Sequence, residues 1–175
     1  MVTGNKHGLP KLKRPCNLAV NLPNAPVLPR GYSTLDDTDK YQAIINENGN
    51  HWRKILIIIS KIMAGKDWRD YRYQSLFSGE VQWQFLSCQT TPSHQQNHKR
   101  DPLTGKVSTS AAWSLHAGKL TWLEQDFDPE TSKSAQCINS QFPCYLLQQK
   151  IFSPYLDYRQ LPNALTEHLH QLVKN

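Results

Sequence analysis

The feature that most limits what this chain can fold into is a change of hydrophobic period along it. In EVQWQFLSC (80–88), Val81, Trp83 and Phe85 fall on one side and Gln82 and Gln84 on the other. That period of two is what a half-buried strand needs. In NHWRKILIIISKIMAG (50–65), Trp52, Leu56, Ile59 and Met63 instead recur at helical spacing, between the cap-like Asn50 and Gly65. The run 55–59 is rich in β-branched residues and would also suit a central strand. The flanks favour a helix that is apolar on most sides and buried against a sheet. A chain that switches between the two periods is neither all helix nor all strand.

The other segments keep the alternation going. CNLAVNLPNAPVLPRG (16–31) sets Leu18, Val20 and Leu22 in a short strand, then breaks at Pro23, Pro26 and Pro29. STLDDTDKYQAIINENG predicts a helix with Ser33 or Thr34 as N-cap, three acids in its first turn and Gly49 at its end. AAWSLHAGKLTWLEQDF (111–127) reads as strand, a turn at Gly118-Lys119, and helix. A polar loop over 128–143 leads to a strand in CYLLQQKIF (144–152). The last helix carries Leu165, Leu169, Leu172 and Val173 on one stripe, with Glu167, His168, His170 and Gln171 around it. These elements predict an α/β fold: a three-layer αβα sandwich around a mainly parallel central sheet of about four strands. The strands are placed near 18–22, 81–87, 112–117 and 146–152, with helices on both faces.

Domain organisation follows from length and charge. A chain of 175 residues suits one domain, placed at 17–175. Residues 1–16 read as a flexible basic arm, because Lys6, Lys11, Lys13 and Arg14 come with no acid among them. Such an arm either adds affinity for a phosphate backbone or is a solvated tail. No run approaches the ~18 apolar residues of a membrane span, and MVTGNKHGLPKLKRP lacks the apolar core of a secretory signal. The expectation is a cytoplasmic protein with no membrane partner. Cys16, Cys88, Cys137 and Cys144 form no CxxC pair, so no metal and no cofactor is implied, and free thiols are expected. Only an exported protein would join Cys137 to Cys144 across a small loop.

In parallel sheets ligands bind beyond the carboxyl ends of the strands. Four loops are expected there: NLPNAP, QTTPSHQQNHKRDP, LHAGK and SPYLDYRQLPN. The second (89–102) has three readings. His94 and His98 at i, i+4 would hold a metal with Cys88 or Asp101; Lys99 and Arg100 beside them would contact phosphate; or the stretch is plain polar surface. In LHAGK, Gly118 lets a backbone approach a ligand closely and Lys119 opens a helix whose N-terminus favours an anion, or else Gly118 is simply a tight turn. In the last loop Tyr155 and Tyr158 flank Asp157 and precede Arg159. Aromatic faces stack on bases, a carboxylate accepts protons or hydrogen bonds, and Arg holds phosphate. The alternative is a packed tyrosine pair with a surface Asp157–Arg159 ion pair. RDYRY (69–73) is a similar string elsewhere in the chain. Asn24 and Pro26 complete the list from the first loop.

The order of these pieces resembles the uracil-DNA glycosylase-like superfamily. In that family a first strand ends in a Gly/Pro loop bearing a catalytic Asn, Asp or Glu, which LPNAPVL resembles with Asn24 near that position. GNHWRKILIIISKI is similar to the following helix, SCQTTPSHQQNHKRDP to the Pro- and Arg-containing loop, and SLHAGKLTW to the strand-Gly-Lys-helix unit. FSPYLDYR stands where the last loop inserts beside a flipped base. Besides cysteines that do not reproduce the iron–sulfur pattern of some members, the chain departs from the pattern in two places. Ser153-Pro154-Tyr155 replaces a His before Pro-Ser, and NLPNAP lacks the first loop's glycines. The resemblance implies a cleft that binds a base or nucleotide, and hydrolysis of a base from DNA. Asn24 and Asp157 would be the catalytic residues. Pro26, Tyr155, Tyr158, Arg159, His94, Arg100, Gly118 and Lys119 would contact the substrate. The alternative is a non-catalytic nucleic-acid, nucleotide or protein-interaction domain with a degenerate site.

Overall fold

The structure is a computed structural model, and it describes residues 18–86, 100–106 and 110–174. The basic arm, Cys16, Cys88, His94, His98 and Lys99 lie outside the described residues. β1 (Leu18–Leu22) is buried along its whole length, as a strand with neighbours on both edges must be. A 3-10 turn at Tyr32–Thr34 leads into α1 (Asp37–Ala64). α2 is Trp68–Gln74, β2 Val81–Phe85, β3 Trp113–Ala117 and α3 Lys119–Glu124. Three strands follow, β4 (Gln136–Asn139), β5 (Cys144–Leu147) and β6 (Lys150–Ser153), and α4 (Asn163–Lys174) closes the chain.

The six strands form one mixed sheet in the order β2-β1-β3-β6-β5-β4. β2, β1, β3 and β6 are parallel, with Leu18 opposite both Val81 and Trp113 and Ser114 opposite Lys150. β5 and β4 extend this sheet antiparallel. The expected sheet of about four mainly parallel strands is therefore corrected to six strands of both senses. The stretch 144–152 is not one strand but a hairpin. Leu147 pairs with Lys150, and the chain reverses at Gln148, whose φ is +56°. A tight hairpin turn normally announces itself with Gly, Asn or Asp, and LLQQKI has none. β4 was missed because only one of its four residues is a strongly β-forming hydrophobe.

Helix ends differ from expectation for local reasons. The N-cap of α1 is Asp36, not Ser33 or Thr34: its side chain accepts from the Asp39 amide at 2.8 Å. The two helices expected on either side of Gly49 are both present within Asp37–Ala64 and meet at a kink there. Gly49 has φ +66°, ψ −154°, a break only glycine makes without strain. The ambiguous run 55–59 is helical and wholly buried.

Side chains alternate across a sheet, and the cores follow that alternation. Leu18, Val20, Leu22, Trp83, Leu115 and Ile151 pack with apolar residues of α1 and α4 in one cluster. Phe152 packs with Trp122 and Phe127 in another. Since Ile151 and Phe152 are neighbours on β6, α1 and α4 cover one face and α3 the other. On the α3 face the register aligns Gln84, Asn21, His116, Phe152 and Tyr145 in a row across five strands.

Candidate functional site

The topology locates the crevice before any side chain is considered. β1 hands the chain to α1 on one face, and β3 hands it to α3 on the other. The loops leaving these adjacent strands diverge to opposite faces at their carboxyl ends, which is where ligands bind in open α/β sheets. Pro23 and Gly118 approach each other there. Gly118 has φ +91°, ψ 150°, a region reserved for glycine, and its amide donates to the Ser153 carbonyl at 3.0 Å. A Cβ there would sit 3.2 Å from Cδ2 of Tyr155 and 4.0 Å from Cγ of Pro23. Only glycine lets the loops after β1, β3 and β6 close to this distance.

Beside them lies a cavity of about 420 Å³ lined by Gly118, Lys119, Trp122, Phe142, Tyr155 and Gln160, with Gln141, Pro143 and Pro154 completing it. Its walls are set by the strands beneath. The Trp122 indole nitrogen donates to both the His116 and Ser153 carbonyls at 3.1 Å, tying the ends of β3 and β6 together. Tyr155 is half-buried and stacks on His51, with ring centres 5.4 Å apart and planes 12° from parallel. The Tyr155 hydroxyl and His51 Nε2 share a hydrogen bond of 2.9 Å. Burial pushes the Tyr155 phenol pKa upward, so the hydroxyl keeps its proton. His51 reaches it from the first turn after the Gly49 break.

Asp157 is engaged on both oxygens. Lys54 Nζ donates to Oδ2 at 2.8 Å, and the Arg159 amide and Nε donate to Oδ1 at 3.0 and 3.3 Å. The Lys54 ammonium, ahead of the Arg159 amide, holds this carboxyl well below the usual carboxylate range. It is an anionic strut that fixes the loop to α1, a poor proton acceptor near neutral pH. Arg159 is exposed beyond that contact.

The loop after β1 is fixed differently. Asn48 on α1 clamps its far side: the Val27 amide donates to Asn48 Oδ1 and Asn48 Nδ2 donates back to the Val27 carbonyl, both at 2.8 Å. Asn48→Ala should therefore cost about 1 kcal/mol of stability for this partly exposed pair, read from urea unfolding. Pro26 is buried under this loop and Asn24 is exposed on it; neither lines the cavity.

Of the expected site residues, Gly118, Lys119 and Tyr155 come together. Tyr158 points away, its ring 5.5 Å from Lys61 Nζ on α1. Arg100 is exposed beside the edge strand β2, because Asp101 binds the amide of Trp83 in the middle of that strand. The expected anion site at the start of α3 is not supported by a helix of only six residues. His51, Lys54, Trp122 and Phe142 were not singled out by sequence. Gly49 before His51 was the one available signal, whereas Phe142 sits in a stretch with no periodicity. Cys137 and Cys144 are free thiols, and burial pushes the Cys144 thiol up to about 12. Among the described residues no His, Cys, Asp and Glu cluster is placed to hold a metal, and no helix is long and apolar enough to cross a membrane.

The fold and crevice define an open α/β protein with a preformed aromatic cleft at the carboxyl edge of its parallel strands. Residues 13–174 match the model of DUF6942, a family of unknown function, and the chain belongs to that family. No curated protein and no solved structure matches it.

Proposed function

We propose that the cleft binds a planar heterocycle, a base or a nucleotide, and that the protein acts by binding rather than hydrolysis. The observation that carries this reading is the approach of Tyr155 to Gly118, which makes an aromatic wall of the cavity beyond β3 and β6. The cavity of about 420 Å³ suits a small ligand. Trp122, Phe142 and Tyr155 offer faces, Gln141 and Gln160 offer amides for a base edge, and Lys119 is exposed at the rim for a phosphate. The fold in this reading is a three-layer αβα sandwich, with α3 and its aromatic cluster as the second helical layer.

The uracil-DNA glycosylase-like resemblance is kept for the plan of the cleft. Hydrolysis fits less well, because Asp157 is held ionised by Lys54 and Asn24 lies off the cavity lining. Titrating uracil, thymine and nucleoside monophosphates while following tryptophan fluorescence tests the reading. Tyr155→Ala should weaken binding roughly ten- to a hundredfold, since stacking on one ring contributes ~1–3 kcal/mol. An unchanged affinity in that variant, with the fold intact by circular dichroism, would remove the cleft from consideration.

A further inference from the structure

Outside the cleft, four cations gather on one surface, and none of them is in an ion pair among the described residues. Arg53 and Lys61 lie on the same stripe of α1, at i and i+8 with buried Ile57 between them. Arg69 and Arg72 come from α2, which packs against α1. The Arg72 guanidinium carbon is 5.3, 5.1 and 4.5 Å from the ring centres of Tyr41, Trp68 and Tyr73. Arg69 stands 4.8 Å over Trp68, and Lys61 Nζ is 5.3 Å from Trp68 and 5.5 Å from Tyr158. Arg53, exposed two turns before Lys61, acts electrostatically on Tyr41 and Tyr158, as Asp157 does on Tyr158.

The ion pairs among the described residues are Lys40–Asp37, Lys54–Asp157 and Arg159–Asp157, and none involves these four cations. Arg72 Nε is buried and has no hydrogen-bond partner among the described residues. Burial and the charge of Arg69 both push the Lys61 pKa down, which is what mutual repulsion predicts. Ring faces attract the cations but do not neutralise them. The cations are thus not directly paired with an acid among the described residues, and aromatic rings lie between them.

That combination separates the classes of polyanion. An acidic peptide would meet the cations and leave Tyr158 unused. A duplex would meet the cations too, but its bases are stacked inward and out of reach of that ring. A single strand offers phosphates and free base faces at once. We propose that this face of α1 and α2 binds single-stranded nucleic acid, with Arg53, Lys61, Arg69 and Arg72 on its phosphates and Tyr158 against its bases. Tyr158 is 40 % exposed and available for this. The site shares no residue with the cavity lining.

The test is fluorescence anisotropy with labelled oligothymidylate and oligouridylate of about 12 nucleotides, within the usual site size for such proteins. Salt is varied from about 50 to about 200 mM. Binding of either strand that weakens steeply with salt supports the proposal. Arg53→Gln/Arg69→Gln should weaken low-salt binding at least tenfold and flatten the log K against log salt slope by about 1.4, roughly 0.7 per lost phosphate contact. Its thermal midpoint should not fall, since the change relieves repulsion. Tyr158→Ala should weaken binding about tenfold and leave the slope unchanged. Absence of binding to both oligonucleotides, or a slope unchanged in the double variant, overturns the proposal. Equal, equally sensitive binding of polyglutamate would overturn it in favour of an acidic protein partner. Nucleoside monophosphates, titrated in parallel, should bind the double variant and wild type alike. If they bind neither protein while the oligonucleotides behave as stated, the cleft reading fails and this one stands.

Discussion

Replacing Asp101 by alanine is expected to lower the unfolding free energy by about 3–5 kcal/mol, because it strands three backbone donors at once. Asp101 is 3 % exposed. Its Oδ2 accepts from the Trp83 amide at 2.7 Å, and its Oδ1 accepts from the Leu103 and Thr104 amides at 2.8 and 3.2 Å. Among the described strands β2 is the edge of the sheet, and the Trp83 amide bonds to this carboxylate instead of to a strand. The carboxylate supplies what a seventh strand would otherwise give, and it blocks pairing with another chain. Asp101→Asn keeps one acceptor and should lose less than Asp101→Ala. Urea unfolding of both variants checks this; equal stability of Asp101→Ala and wild type would show that the edge needs no cap.

The second large effect is a dependence of stability on pH that traces to His116. The ring is 4 % exposed, stacks on Phe152 with centres 5.1 Å apart, and hydrogen-bonds Ser114 Oγ through Nε2 at 3.1 Å. Its Nδ1 is buried with no hydrogen-bond partner among the described residues. Burial first, and then the Lys150 charge, lower its pKa to about 4 from 6.5. The unfolded chain therefore binds this proton at higher pH than the folded one does. Stability from the neutral ring is complete above pH 6.5 and is lost as pH falls from 6.5 towards 4. The loss amounts to roughly 3 kcal/mol over that window. His116→Gln should flatten this segment of the stability curve relative to wild type. Asp157, whose pKa is depressed, loses its contribution only at lower pH, so the two effects separate along the axis. Parallel curves for wild type and His116→Gln between pH 4 and 6.5 would contradict this.

What the sequence made legible follows from how local each signal is. β1 and β3 lie where alternation placed them, since Leu18, Val20, Leu22 and Leu115 carry their own period. The helix over 50–65 was correctly taken against the β-branched run, because Asn50 and Gly65 framed it. The β5–β6 hairpin was hidden, as Gln148 takes a left-handed φ without the residue type that advertises one. At the cleft, Gly118, Lys119 and Tyr155 were legible because they follow strand ends. His51 and Trp122 were not, for their roles depend on a helix kink and on two carbonyls brought together from β3 and β6. Asp157 was legible as a chemical residue but not as one tied to Lys54, which is distant in sequence. Such pairings have no local signature.

The central position of β1 has a consequence for how the molecule reaches this state. Its two neighbours arrive late: Leu18 pairs with Val81, 63 positions on (81 − 18), and with Trp113, 95 positions on (113 − 18). Both closures span large loops, and parallel pairing of this kind is slow to nucleate. Until then LAVNL has two open edges and mostly apolar side chains, the kind of segment that recruits other chains in partly folded intermediates. α1 is the element that follows directly, and its buried isoleucines share a core with Leu18, Val20 and Leu22. Early docking of α1 onto β1 would shield one side of that strand while the sheet is still incomplete. Refolding yield should then be more sensitive to substitutions in the buried stripe of α1 than native stability alone explains.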